Sequence, residues 1–255
     1  MCFDADSRPP IAPVAGAAIQ HRHLELEAAD GNRFSAFEAF AAGPAEVGML
    51  VLPDVRGLFS YYEELALRFA EVGVASLAID YYGRTAGASR RDAGFDFASH
   101  VPRSTWAGLQ VDVAAAAAHL RASSGIHRIY SIGFCYGGRL SLLLASLDEL
   151  GLDGVIGFYG WPVGPFRNDM PAPAEMAGTF RVPLLALFGG ADKGITADDV
   201  ADFQRALESA TVTHRVVTYE DAPHSFFDRK QAEFADASAM AWSEVLRFIG
   251  IGEER

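Results

Sequence analysis

Arg128-Ile129-Tyr130-Ser131-Ile132, running straight into Gly133-Phe134-Cys135-Tyr136-Gly137-Gly138, is the stretch that decides the fold. The first five residues have the β-branched and aromatic makeup of a buried strand. Glycines then flank a cysteine on both sides, and residues 140–150 read as helix. A chain that turns from strand to helix in so few residues needs glycine where the backbones approach closely. The turn lifts Cys135 out of the sheet and sets it at the positive pole of the helix, which favours thiolate over thiol. A lone cysteine after a strand is otherwise an ordinary small hydrophobe. The strand-turn-helix setting is what makes Cys135 a candidate nucleophile.

Outward from this turn, apolar runs alternate with helical patterns. Residues 21–27 and 34–40, split by Asp30-Gly31-Asn32, predict an opening hairpin. Residues 47–52, closed by Pro53, and 74–79, closed by Asp80, read as strands buried on both faces. Further strands are expected over 154–158, 184–188 and 215–219. Helices are expected over 62–72, 106–122, 198–207 and 235–249. A hairpin followed by repeated strand-helix-strand units implies one α/β domain: a mostly parallel twisted sheet with helices on both faces. Residues 1–18, Pro- and Ala-rich without periodicity, are expected to form an irregular arm, and 19–255 the domain. The irregular stretches 81–103 and 160–181 are expected around a crevice at the carboxyl ends of the strands.

Two further residues fall at strand ends in the order that a nucleophile-acid-histidine triad requires. Asp192 follows strand 184–188 through Gly189-Gly190-Ala191, and His224 follows strand 215–219 through Glu220-Asp221-Ala222-Pro223. His224 would take the Cys135 proton, and Asp192 would fix its tautomer. Asp198 and Asp199 compete with Asp192 for the acid role, and a loop aspartate is commonly a cap or turn former. His214 sits at a strand start, on the wrong rim. The remaining histidines fall on the hairpin, a loop and a helix end, without zinc-ligand spacing to a Cys or carboxylate, so no metal is expected.

Composition narrows the partners. The chain has 255 residues, half of them hydrophobic and about a fifth charged, with a net charge of -12. That charge argues against nucleic acid and against anionic lipid, both of which need clustered Lys and Arg. Two cysteines cannot build a disulfide scaffold, so a reducing compartment is expected. The N-terminus is acidic rather than signal-like, and no apolar stretch reaches bilayer length, which makes cytoplasmic the default. The acidic surface carries no dimer signal, leaving a monomer or weak homodimer.

These motifs resemble the dienelactone hydrolase family of α/β-hydrolases, from about residue 21 to 248. The likeness rests on Gly133-Phe134-Cys135-Tyr136-Gly137-Gly138, Phe188-Gly189-Gly190-Ala191-Asp192 and His224-Ser225-Phe226. Leu52-Pro53-Asp54-Val55-Arg56-Gly57 and Asp80-Tyr81-Tyr82-Gly83-Arg84 extend it upstream. Cysteine at the turn is its specific part, since most α/β-hydrolases carry serine there. The resemblance implies a cofactor-free Cys-His-Asp hydrolase acting on enol-lactones, typically in aromatic compound degradation. It assigns the oxyanion hole to the backbone N–H groups of Val55 and Tyr136, and a substrate carboxylate to Arg84. The family's second arginine is missing, its position being Asp228 with Arg229 beside it. Its thiol-pairing Glu is replaced by the shorter Asp54.

The expected reaction is cleavage of a small lactone or ester, carboxylate-bearing if Arg84 serves as in the family, through an acyl-thioester on Cys135. A broader carboxylesterase is the alternative if Phe95, Phe97, Tyr159, Trp161 and Phe166 line an apolar, substrate-binding pocket. A catalytically silent, hydrolase-like binding protein is the third reading. Three triad candidates in correct order weigh against it.

Overall fold

The computed structural model describes residues 3–4, 6–123 and 125–252. Residues 3–4 and 6–18 carry no helix or strand. Among the described residues, eight strands form one sheet: β1 (Ile19–Glu27), β2 (Arg33–Ala41), β3 (Val47–Leu52), β4 (Ala75–Ile79), β5 (Arg128–Phe134), β6 (Gly154–Phe158), β7 (Leu184–Gly189) and β8 (His214–Tyr219). Their order is β1-β2-β4-β3-β5-β6-β7-β8. β2 pairs antiparallel with both β1 and β4, and every later pairing is parallel.

Burial follows sheet position. All residues of the inner strands β3, β4, β6 and β7 are buried, as uninterrupted apolar runs require when helices cover the sheet. Edge strand β1 is mostly exposed and carries His21, Arg22, His23, Glu25 and Glu27, charge and polarity that discourage pairing with another chain.

Helices α1 (Ser60–Glu71), α4 (Trp106–Ala122), α5 (Tyr136–Leu144), α7 (Ala197–Ser209) and α8 (Ala235–Phe248) alternate with the strands. Three short helices, α2 (Gly83–Ala86), α3 (Phe97–His100) and α6 (Pro173–Met176), lie inside the stretches expected to be irregular. The helix expected over 140–150 instead begins at the turn and stops at Leu144. The N–H groups of Ala145, Ser146 and Leu147 bond three residues back, tightening the end, and Ala145 O accepts the Arg181 N–H at 2.7 Å. A continuing helix would need that carbonyl for itself.

Candidate active site

Cys135 is the N-cap of α5, with φ 56° and ψ -109°, a conformation that a side-chain-bearing residue adopts only when its surroundings force it. The forcing contacts are backbone to backbone. The Cys135 N–H donates to Phe158 O at 3.0 Å, and Cys135 O accepts the Arg139 N–H at 3.0 Å. A Cβ on Gly133 would lie 1.8 Å from Gly137 O, and one on Gly137 would lie 2.2 Å from Leu52 O. Only glycine fits at either position, so the pattern around Cys135 follows from strand-to-helix packing. The Cys135 sulfur is disulfide-bonded, a departure from the reduced thiol expected of a chain with so few cysteines.

Asp192 and His224 come together. His224 Nδ1 and Asp192 Oδ2 are 2.6 Å apart, and Asp192 Oδ1 accepts the N–H groups of Gly194 at 2.8 Å and Ile195 at 3.3 Å. Three contacts hold the carboxylate, and the carboxylate in turn orients the imidazole. The rings of Trp161 and Tyr159 flank His224 at 4.8 and 4.9 Å, and Trp161 Nε1 donates to Gly194 O at 3.0 Å. The competing aspartates both lie at the start of α7. Asp199 forms a capping box with Thr196 at the start of α7, and Asp198 lies in the same first turn.

Val55, Phe97, Cys135, Trp161, Pro165, Phe166, Arg167 and His224 line one cavity of about 500 Å³. Cys135 and His224 thus share a cavity with Val55, one of the two expected oxyanion donors. Tyr136 is the first residue of α5, so its N–H lies beyond the reach of helical acceptors. Its buried hydroxyl meets Ser104 Oγ at 2.8 Å and accepts from Asn168 Nδ2 at 3.2 Å. The Val55 loop is fixed from several sides. The Asp54 N–H donates to Tyr62 Oη at 2.8 Å, the Tyr82 hydroxyl donates to Val55 O, and the Leu58 N–H donates to Asp80 at 3.2 Å.

Three expected substrate contacts lie elsewhere. Arg84 turns to two aspartates: Asp112 on α4, at 2.7 and 3.1 Å, and Asp30 in the hairpin turn, at 2.5 and 3.1 Å. These bonds engage all three guanidinium nitrogens, and Arg84 is not among the cavity-lining residues. Asp54 is fully buried. Its Oδ1 accepts the Arg56 N–H at 2.9 Å and its Oδ2 accepts the Phe3 N–H at 3.2 Å. Burial pushes its carboxyl above the usual range, against the opposing pull of Arg56. Tyr159 is wholly buried beneath His224 and lies behind the lining rather than in it.

Of the expected apolar wall, Phe97, Trp161 and Phe166 are in place. Phe95 packs instead on Tyr82 and His100, under Arg91. Sequence reasoning missed Arg167, whose position in the 160–181 stretch was its one available signal. It also missed Arg139, a fully buried cation on α5. Arg139 donates to the carbonyls of Trp161, Gly164, Met170 and Pro171 at 2.9–3.2 Å. Burial pulls it down to about 10, still a cation at neutral pH.

Among the described residues, no group of three or more His, Cys, Asp or Glu is placed to hold a metal. No helix among them is long and apolar enough to cross a membrane.

Comparison with known proteins agrees with this architecture. The dienelactone hydrolase family profile matches residues 37–251. A Methylorubrum extorquens protein named "Putative carboxymethylenebutenolidase" is 29% identical over 217 residues, covering 81% of this chain and 74% of its own length. An Escherichia coli protein of the same name is 25% identical over 94% of this chain and 93% of its own. The crystal structure of a "Putative Dienelactone Hydrolase" from Klebsiella pneumoniae superposes with a TM-score of 0.78 at 25% identity, covering 91% of this chain and 99% of its own. A dienelactone hydrolase-like promiscuous phosphotriesterase from metagenomic libraries shares the fold at TM-score 0.75 and 22% identity, covering 91% of this chain and 98% of its own. With the match spanning most of the chain, the protein belongs to the dienelactone hydrolase family and is a hydrolase of ester or lactone bonds.

Proposed function

We propose that the reduced protein cleaves small esters and lactones by attack of the Cys135 sulfur on the carbonyl carbon. The observation that carries this reading is the 2.6 Å contact of His224 with Asp192, in a cavity that His224 and Cys135 both line. His224 holds the thiol proton as the C–S bond forms, while the N–H groups of Val55 and Tyr136 receive the developing oxyanion. A preset donor of this kind is worth on the order of 3 kcal/mol of barrier. His224 returns the proton to the leaving oxygen, and water then hydrolyses the thioester with the same histidine as base. A thiolate is itself a good leaving group, so the intermediate collapses forward only when the departing group is an enolate, aryloxide or strained ring oxygen. Amides are poor substrates for the same reason.

Phe97, Trp161 and Phe166 give the cavity an aromatic wall, which favours substrates with a flat apolar portion and a breadth approaching that of a carboxylesterase. With Arg84 engaged elsewhere, Arg167 is the cavity's cation for a carboxylate-bearing substrate.

The test is p-nitrophenyl acetate hydrolysis by protein kept under dithiothreitol. A burst of p-nitrophenolate and an acetyl adduct on Cys135 by mass spectrometry are expected, both absent in Cys135→Ala. Faster turnover of p-nitroacetanilide than of the matching ester would sink the thiolate mechanism.

A further inference from the structure

Trp161 reaches the His224–Asp192 pair from two sides. Its Nε1–H donates to Gly194 O at 3.0 Å, and the Gly194 N–H donates to Asp192 Oδ1 at 2.8 Å. Asp192 Oδ2 lies 2.6 Å from His224 Nδ1, and the His224 ring lies 4.8 Å from the indole, centroid to centroid, at an interplanar angle of 42°. Trp161, Gly194, Asp192 and His224 therefore form a closed circuit that runs from indole to peptide, carboxylate, imidazole and back to the indole. Gly194 fits this circuit because it has no side chain. A Cβ there would crowd Trp161 Cζ2 at 3.2 Å and approach Asp192 Oδ1 at 3.4 Å.

The circuit is also tied to the turn at Cys135. Trp161 O accepts from Arg139 Nη1 at 3.2 Å, and Arg139 lies on α5, whose N-cap is Cys135. Two anchors thus hold Trp161, Arg139 at its carbonyl and Gly194 at its indole, and the second persists when the first is removed. We propose that Trp161 is a positioning residue for His224, whose indole sets the plane of the imidazole relative to Cys135. The proposal rests on His224 acting as the base for Cys135.

The physical need for such a partner is plain from the geometry. The bond to Asp192 commits Nδ1 and leaves proton transfer to Nε2. One hydrogen bond fixes a point of the imidazole, whereas a ring packed against it at a set tilt fixes its plane. Tyr159, wholly buried, packs on the same imidazole at 4.9 Å, and Trp161 does so as part of the cavity lining. The indole also suits the imidazolium that His224 becomes while it holds the thiol proton, since an aromatic face attracts a cation within about 6 Å. Phe166, on the same wall, packs instead on Trp161 and Tyr136. Trp161 is thus the member of the 160–181 wall through which the shape of the cavity bears on the histidine.

The test uses the full chain under dithiothreitol and saturating p-nitrophenyl acetate, so that weaker substrate binding drops out of the rate. Trp161→Leu is expected to slow the p-nitrophenolate burst roughly ten-fold or more, the scale of loss when a catalytic group is misplaced. Trp161→Phe keeps a ring against His224 and gives up the Nε1 donor, so the burst slows only about three-fold. Gly194→Ala, which leaves Trp161, Asp192 and His224 in the chain, slows it as well. Proton NMR gives a readout that loss of a cavity wall would not move. The His224 Nδ1–H resonance, far downfield in the wild type, broadens or moves upfield in Trp161→Leu and Gly194→Ala. A wild-type burst rate in Trp161→Leu, with only KM raised, overturns the inference and leaves the hydrolase reading intact. If Trp161→Leu fails to fold, an unchanged burst and an unmoved resonance in Gly194→Ala overturn it equally. A wild type that gives no burst overturns the catalytic reading instead, and the resonance then still tests whether Trp161 positions His224.

Discussion

Two long loops border the cavity, and each is organised by a buried arginine, yet the two cations are compensated in opposite ways. Arg91, in the 81–103 loop, faces a charge. Its guanidinium meets the buried Asp80 carboxylate at 2.8 and 3.2 Å and donates to Gly87 O and Ser89 Oγ as well. Asp80, at the end of β4, also accepts the N–H groups of Leu58 and Tyr82. Among the described residues, no carboxylate lies within bonding reach of Arg139. It is solvated by four carbonyls of the 160–181 loop, with the Phe166 ring 5.3 Å away. The first arrangement ties a loop to the sheet. The second ties the loop bearing Trp161, Phe166 and Arg167 to the very helix that begins at Cys135, so the aromatic wall is registered to Cys135. Of the cavity lining, the 81–103 loop supplies Phe97, and the 160–181 loop supplies Trp161, Pro165, Phe166 and Arg167.

The contrast breaks most visibly at Asp80. Asp80→Asn leaves the Arg91 charge buried without its counter-ion, and a loss of about 3–5 kcal/mol is expected in urea unfolding. A change below about 1 kcal/mol would mean that the two loops are held alike. Arg139→Met comes next. It strands four carbonyls but no charge, so about 2–3 kcal/mol is expected. Here the sharper readout is kinetic: KM for aryl esters rises more than kcat falls, because the wall moves while the triad candidates stay. The smallest effects concern the two arginines near the rim. Arg84→Ala changes KM for a carboxylate-bearing ester less than two-fold, since its donors already serve Asp30 and Asp112. Arg167→Ala raises that KM roughly ten-fold, about 1.4 kcal/mol, and leaves a neutral ester nearly unchanged. The reverse ranking would return the anion site to Arg84.

The sheet was legible because its inner strands are buried on both faces and read as unbroken apolar runs, bounded by residues that stop them. Trp106–Ala122 and Gly154–Phe158 fall on the expected bounds. The turn at Cys135 was legible because backbone crowding there admits only glycine. Asp192 and His224 were legible because parallel strands deliver their following residues to one rim. What stayed hidden depends on which partner reaches a polar group first. Nothing local to Arg84 reveals that Asp30 and Asp112, far away in the chain, converge on it. The Asp54 carboxylate meets a backbone amide 51 residues earlier, a contact made by an arm whose sequence has no periodicity. Arg139 sits amid apolar residues of α5 and bonds only to main-chain oxygens, which leave no trace in side-chain pattern.

The left-handed backbone at Cys135 has a consequence for attempts to make this enzyme more heat-resistant. A residue with a Cβ held there stores on the order of 1–3 kcal/mol of strain, which glycine would release. Cys135→Gly releases that strain but also removes a buried, disulfide-bonded sulfur, so a library screened for thermal resistance alone reads two opposed effects at one position. Directed evolution of this scaffold has to select on turnover from its first round, because the strained peptide unit also carries the sulfur that we propose as nucleophile.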